Sequence, residues 1–454
     1  EQIGSRRCSK PLHSMPLVSE STQKRVSAAR RLAYGHLAER VKRYPDLFPS
    51  QLDVTDLNDR DARLAMAIDR AVTLRWLTLQ AVIEPMLSMP WNKQHHVVKT
   101  ALLAGATQLL LLDRIPDHAA IDESVEWCRG TPAERAKGVV NAVLRRIVRL
   151  RRERIEKADL FEVDQIIRTD GSGWSLTEPV FAGDIADRVS KQTGCGRPLY
   201  DRIAALHGQD EATRIALHSM ADPPIILHHA DACDALAPHE QPGFHILRSG
   251  ESLRGVLADC PSAIVQDPTA AAAVRATESM VPDCIVDFCA GRGTKTRQLA
   301  AMHPDARLIA SDKSKLHLRT LQELKPLGVE VLAQADLTAL AGQVDLLILD
   351  VPCTNSGVLA RRIEARHRQT SEFRLQLRDV QRQIAADALA LLSPRGTLLW
   401  TTCSIDPDEN ESQVEWLTKW HDLEVEIMCA ERGQGLPGEN PEVWRDGGFF
   451  AKLR

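Results

Sequence analysis

Two cysteines and three aspartates stand where apolar runs give way to loops, and these are the side chains placed to do chemistry. Cys403 closes "LLWTTC" and is followed at once by the acidic "SIDPDEN". Asp350 and Cys353 close "LILDVPC", with Pro352 stiffening the turn between them. A single buried cysteine is best read as core filler. Two cysteines and an acid at equivalent strand ends reverse that reading, because ligands of open α/β sheets gather at the carboxyl ends of strands. The acids after Cys403 suit the positive end of a helix. They do not favour a thiolate, so activation has to come from Lys295, a nearby arginine or the substrate.

The segment "DFCAGRGTKT" leads from another apolar run into a helix. Gly291 and Gly293 allow a sharp turn and close approach of a ligand. Asp312 ends the next run, about 20 residues on, where a reader of ribose hydroxyls stands. Asp336 is expected to end a third. Lys295 lacks the GxxxxGK[ST] spacing of a phosphate-binding loop, so that reading is disfavoured. The predicted fourth and fifth strands then deliver Asp350, Cys353 and Cys403 to one rim beside a nucleotide-type site.

The elements that must position these residues point to a multidomain chain. A length of 454 residues fits roughly three domains. Residues 1–20 read as a disordered lead, with Met15 the expected start. Residues 21–156 repeat apolar residues at helical spacing, as in "TQKRVSAARRLAYGHLAERV". Residues 157–195 are poorly periodic and read as a linker, and 196–275 as a small α/β adaptor. From 276 to 454 short apolar runs alternate with helical stretches, the βαβ signature of a mostly parallel, doubly wound sheet. The closing "GGFFAKL" suits an antiparallel edge strand.

Composition narrows the class. With 44% hydrophobic and 26% charged residues the chain is soluble and globular. It contains no apolar stretch of about 18 residues, so no membrane partner is expected. The ten cysteines form no CxxC pair, which disfavours zinc ribbons and implies free thiols in the cytoplasm. The pairs His95-His96 and His228-His229 lack spaced partners, so no metal is expected. A net charge of −4 does not announce a nucleic-acid binder, but "RRIVRLRRER" (145–154) and "RRIEARHR" (361–368) are arginine-dominated. Together they tilt the reading toward phosphate contacts, while 4% aromatics argue against base-stacking platforms.

"DVPC" with "TTCS" after it, behind "DFCAGRGTKT" and "VQD", resembles the Nop/Sun family of S-adenosylmethionine-dependent RNA cytosine-5 methyltransferases. The leading block, with "TQLLLLDRIPDHAAIDESVE" and "KGVVNAVLRRI", looks like a NusB-type RNA-binding domain. The pairing resembles the bacterial Fmu/Sun (RsmB) type, which methylates 16S ribosomal RNA. The resemblance implies an all-α NusB-like domain, the adaptor, and a C-terminal Rossmann-like class I methyltransferase domain.

By the same resemblance Cys403 is the nucleophile toward carbon 6 of cytosine, Cys353 assists product release, and Asp350 holds the base. Cys289, Ala290, Gly291, Arg292, Gly293, Thr294, Lys295, Asp312, Asp336 and Asp350 match cofactor-binding positions. The expected partner is 16S ribosomal RNA, free or in early assembly, met by a monomer that binds no DNA. Three departures stand out. The family's CAAPGGKT has Arg292 for proline and Thr294 for glycine, which predicts weaker cofactor binding. Residues 361–367 replace RHPEARW, and Leu227-His228-His229-Ala230 replaces an LRVN element. Rival readings are a tRNA cytosine-5 methyltransferase, a DNA cytosine methyltransferase, whose nucleophile would be the fourth-strand cysteine, and a non-catalytic NusB-type ribosome-assembly binder.

Overall fold

The structure, a computed structural model, describes residues 26–454. The expected lead of residues 1–20 lies outside the described residues. The chain divides into two compact units, Glu1–Arg168 with Ser172–Arg197, and Thr169–Gly171 with Pro198–Arg454.

The first unit is built on helices α1 (Ala28–Arg43), α2 (Asp59–Leu74), α3 (Trp76–Ile83), α4 (His96–Leu110), α5 (Asp117–Trp127) and α6 (Lys137–Leu150). Helix α6 shows why the sequence folds this way. Val140, Val143, Leu144, Ile147 and Leu150 recur every three or four residues and are buried, while Arg145, Arg146 and Arg149 face solvent. The buried stripe joins Tyr34, Leu37, Trp76 and Leu102 in one core.

The segment 157–195 is not a linker. Strands β1 (Arg151–Ile155), β2 (Gln165–Ile167) and β3 (Gly173–Leu176) form an antiparallel sheet in the order β1-β3-β2. Helix α7 (Ile185–Thr193) follows, capped by the Asp184 carboxylate and ended by Gly194 at φ 74. Ile166, Leu176 and Phe181 complete the helical core. Strands of three to five residues are too short to print a period in the sequence.

The second unit opens with α8 (Arg197–His207) and α9 (Gln209–Met220). Strands β4 (Ile226–His228), β5 (Leu236–Pro238), β6 (Phe244–Leu247) and β7 (Ile264–Val265), with α10 (Leu253–Asp259) before β7, form a sheet ordered β5-β6-β4-β7. These elements occupy the stretch expected as a small α/β adaptor, and they lie within the same compact unit as the main sheet. Helix α11 (Pro268–Arg275) leads into β8 (Cys284–Asp287), α12 (Thr294–Met302), β9 (Arg307–Ala310), α13 (Lys315–Leu321), β10 (Glu330–Val331) and β11 (Val344–Asp350). Helix α14 (Ser371–Leu389), β12 (Leu392–Thr402), α15 (Glu411–His421), β13 (Val425–Glu431) and β14 (Gly448–Leu453) complete it.

The main sheet runs β10-β9-β8-β11-β12-β14-β13. Strands β10, β9, β8, β11 and β12 pair in parallel, and β14 is antiparallel to both of its neighbours. Alternate residues of β11 serve opposite cores: Leu347 and Leu349 pack with Ala385 and Val414, and Leu346 and Ile348 pack with Val274 and Leu299. Both faces are therefore covered, as a parallel sheet requires.

Two expectations need correction. The closing strand is antiparallel but does not form the edge. Every residue of β14 is buried, whereas β13 beyond it is largely exposed and takes the edge. Asp336 does not end a strand, because β10 stops at Val331 and Asp336 lies exposed in a 3₁₀ turn, Gln334–Leu340.

Candidate active site

The order of strands reverses between β8 and β11, and the crevice at their carboxyl ends is where an open α/β sheet takes its ligand. From β8 the chain turns through residues 288–293 into α12. Gly293 sits at φ 82, where the backbone favours glycine, and a Cβ there would stand 2.5 Å from Leu324 Cδ1 and push that side chain aside. Gly291, at φ 58, faces open space. Its N–H donates to Asp312 Oδ2 at 3.0 Å, and the other Asp312 oxygen accepts from Ser314 N at 2.7 Å. Sequence spacing paired the glycine turn with Asp312, and the fold joins them directly.

Lys295 leaves the first turn of α12 and donates to Asp350 Oδ2 at 2.7 Å. Burial alone would lower its pKa, but Asp350, to which it is hydrogen-bonded, and then Asp287 reverse this and hold it charged. Asp287, at the end of β8, is 1% exposed. It accepts from Thr296 Oγ1 at 2.6 Å, while its Oδ1 is buried with no partner. Burial, opposed by the Thr296 bond and reinforced by Asp350, raises its pKa to about 7. Burial, with Asp287, Asp312 and Asp350 nearby, also pushes the Cys289 thiol well up.

Lys295 thus stands beside two carboxylates, Asp350 and Asp287, with Asp312 close to Asp287. The excess negative charge and the unpartnered Oδ1 suit a cationic cofactor carrying a sulfonium and an ammonium group, with Asp312 placed as acceptor for ribose hydroxyls. The residues present fit S-adenosylmethionine. Ala290 packs at the second core of the sheet, and Arg292 and Thr294, the departures in this loop, are both exposed. Asp336 lies exposed in the 3₁₀ turn whose Gln334 donates to the Phe288 carbonyl at 3.2 Å.

The parallel register of β11 on β12 pairs Asp350 with Thr401, so the two loops leave the sheet side by side. Cys353 Sγ and Cys403 Sγ lie 3.2 Å apart. Both are free thiols, well beyond the roughly 2.05 Å of a disulfide bond. Cys353 is buried and Cys403 half-buried. The contact with Cys403, then burial, drives the Cys353 pKa well above the usual thiol range, so Cys353 stays protonated at neutral pH.

Several functional positions were missed by sequence reasoning. Asn355 Oδ1 lies 3.3 Å from Cys403 Sγ. Glu409, 1% exposed, accepts from Thr354 N at 3.0 Å, Thr354 Oγ1 at 2.5 Å and Gln381 Nε2 at 3.1 Å. It ties the loop of Cys353 to the loop of Cys403. Asn410 accepts from Thr402 Oγ1 at 2.6 Å and donates to the Ser404 carbonyl at 2.9 Å. Asp406 receives two bonds from Arg202, at 2.8 and 3.1 Å. The acids after Cys403 therefore brace its loop rather than simply starting a helix. The signal available was the acidic "DPDEN", which begins three residues after a strand-end cysteine.

The second arginine run is structural. Arg361 bonds to Asp446 at 2.5 Å and to the Pro224 carbonyl at 3.0 Å, and Arg366 donates to the Ser219 and Leu359 carbonyls. Arg362 alone in this run is exposed. Arg366 is buried and Arg361 part-exposed, and both are engaged by acceptors of the protein itself, so these two arginines give the expected phosphate contacts no support. His228 of the LRVN-like stretch stacks on Phe244, and burial lowers its pKa to about 4. In the first unit Arg145, Arg146, Arg149, Arg152 and Arg154 are exposed.

Comparisons with known proteins agree with this geometry. Residues 276–454 match the model of the 16S rRNA methyltransferase RsmB/F family, and residues 26–149 match that of the NusB family. The chain is 29% identical to ribosomal RNA small subunit methyltransferase B of Pasteurella multocida, covering 83% of this chain and 84% of that one. The same protein of Xanthomonas campestris pv. campestris is also 29% identical, over 87% of this chain and 89% of its own length. Among solved structures, the crystal structure of PH0851 superposes with a TM-score of 0.68 at 18% identity, covering 94% of this chain and 99% of that one, which shows the fold.

Proposed function

From its membership of the 16S rRNA methyltransferase RsmB/F family, to which the chain belongs through residues 276–454, we propose that it methylates carbon 5 of a cytidine in 16S ribosomal RNA through a transient adduct with Cys403. The chain is an RNA methyltransferase that takes its methyl group from S-adenosylmethionine. The observation that carries the finer reading is the pair of thiols 3.2 Å apart at the ends of two adjacent strands, beside the Lys295–Asp350 pair.

The cofactor, when bound, supplies an electrophilic methyl group. This chain's residues do the rest. Cys403 adds to carbon 6 of the ring, forming an S–C bond while its proton passes by way of Asp350 to ring nitrogen N3. The displaced double-bond electrons make carbon 5 nucleophilic, and it takes the methyl group. Covalent addition divides one hard step into two easier ones. In release, Cys353 gives its proton to the departing Cys403 sulfur and takes the carbon-5 proton in exchange, as the S–C bond breaks, the ring double bond returns and N3 gives its proton back through Asp350 to solvent. A thiol held protonated beside the leaving sulfur suits that exchange. The target base must leave its stack to enter such a crevice.

The reading is tested by bisulfite sequencing of 16S ribosomal RNA from cells with and without the protein. A cytidine protected only in its presence is expected. Unchanged ribosomal RNA, with a protected tRNA cytidine instead, would transfer the activity to tRNA.

We propose further that the first unit docks free or early-assembling ribosomal RNA through the exposed arginines of its NusB-family domain and the strand that follows. Replacing Arg145, Arg146, Arg149 and Arg152 by glutamine should weaken RNA binding. It should also reduce the slope of log affinity against log salt by roughly 0.7–0.9 for each phosphate that is no longer neutralised. An unchanged slope assigns this run to a solvated helix face.

A further inference from the structure

Asn355 stands at φ 60, in the left-handed region that residues with a Cβ mostly avoid, though asparagine tolerates it better than most. Its side chain spans the two cysteine loops. Nδ2 lies 2.9 Å from the Cys353 carbonyl oxygen, and Oδ1 lies 3.3 Å from Cys403 Sγ. Which end of a carboxamide is nitrogen is often ambiguous, but a main-chain carbonyl can only accept, so the NH₂ must face Cys353 and the oxygen must face the sulfur.

A carboxamide oxygen has no proton to give. Cys403 therefore donates its S–H to Asn355. The single thiol proton is then used, and across the 3.2 Å contact between the sulfurs Cys353 must be the donor. The hydrogen bonds run in one direction, from Cys353 S–H to Cys403 Sγ and from Cys403 S–H to Asn355 Oδ1, while Asn355 Nδ2 holds the Cys353 carbonyl.

We propose that Asn355 is a positioning residue for the cysteine pair: its anchored carboxamide accepts the Cys403 thiol proton, which keeps Cys403 neutral and aimed, and makes Cys353 the donor, until a bound base draws that proton away. The assignment rests on the reading of Cys403 as nucleophile. An acceptor oxygen facing the sulfur favours S–H and repels a thiolate, whereas the Cys353 S–H facing it favours the thiolate. Asn355 thus restrains ionisation in the resting protein, and Cys353 supports it once the restraint is lifted.

The test uses the full chain without RNA or cofactor. The rate of iodoacetamide alkylation at Cys403 is followed by mass spectrometry across a pH series. Asn355→Gly keeps the left-handed backbone without strain and removes the amide. Asn355→Asp keeps the shape and places a negative charge at the sulfur. The glycine variant should shift the midpoint of the profile to lower pH and raise the rate at pH 7 by about threefold to tenfold, the worth of one ordinary hydrogen bond. The aspartate variant should shift the midpoint to higher pH, and it decides the matter if the glycine variant proves unfolded in a thermal melt. Faster alkylation at every pH with an unmoved midpoint would mean that the side chain only shields the sulfur, and would overturn the proposal. So would an aspartate variant with the wild-type midpoint. Because no RNA enters the assay, a failure here leaves the methylation reading standing, and a failed methylation assay leaves these midpoints unchanged.

Discussion

Cys403→Ala should abolish methyl transfer, by on the order of 10³-fold or more, and leave no covalent protein–RNA species on a denaturing gel. Cys353→Ala should behave in the opposite way on that gel. Addition to carbon 6 and transfer of the methyl group need only Cys403, so they should proceed. Elimination needs the proton exchange that the neighbouring thiol provides at 3.2 Å, so a trapped complex should accumulate with labelled RNA and cofactor. Serine at 353 should not restore release, because a hydroxyl is a much poorer acid–base group than a thiol near neutral pH. A trapped band with Cys403→Ala and none with Cys353→Ala would exchange the two roles. Wild-type activity in both variants would reduce the pair to core packing, the bland reading that a lone cysteine deserves.

Asp287→Asn should stabilise the protein above pH 7 while weakening cofactor binding. The carboxylate is buried with one oxygen unpartnered, and its folded-state pKa of about 7 stands well above the ordinary aspartate value of 3.8. The sign follows from linkage. A folded-state pKa raised above the unfolded one means that the native state resists ionisation. The penalty is therefore absent below about pH 4, grows between pH 4 and 7, and is complete above pH 7. A shift of roughly three pH units corresponds to about 4 kcal/mol at the upper limit. Asparagine removes that penalty, so the variant should melt higher than wild type at pH 8, by roughly 2–4 °C per kcal/mol gained, and alike at pH 4. Calorimetry with S-adenosylmethionine should show the opposite trend, since on the proposed reading of this crevice the variant has lost a negative charge beside the cationic ligand. Such exchange of stability for binding is common where a site holds an unsatisfied buried group. Equal melting at pH 8 would show that the buried carboxylate is not ionised there, or is already satisfied.

Much of this protein was readable without coordinates, and what was readable is local. A strand end is marked within a few residues by an apolar run meeting a polar one, so Asp350, Cys353 and Cys403 could be set on one rim from their immediate neighbours. A glycine turn and an acid on the next strand form a short βαβ unit of nearly constant length, so Gly293 and Asp312 could be paired by spacing. Helix α6 announced its buried stripe through a repeat of three and four.

The misreadings share one cause, because burial and strand order depend on partners far away in sequence. The arginines of 361–368 have the same composition whether they meet phosphate or the carbonyls of Ser219 and Pro224, and only the fold supplies those carbonyls. The last strand was recognisable as a strand, but its insertion between β12 and β13 is a property of the whole sheet. Asn355 and Glu409 act on residues 48 and 55 positions away, respectively. No local pattern records such a pairing. The sequence by itself therefore determined which residue types reach the rim and which fold carries them there. Tertiary structure alone decided which thiol donates to which, and which charges are spent inside the protein. Hydrogen bonds and ion pairs are set by distances of about 3 Å, and only the packed chain brings those distances about.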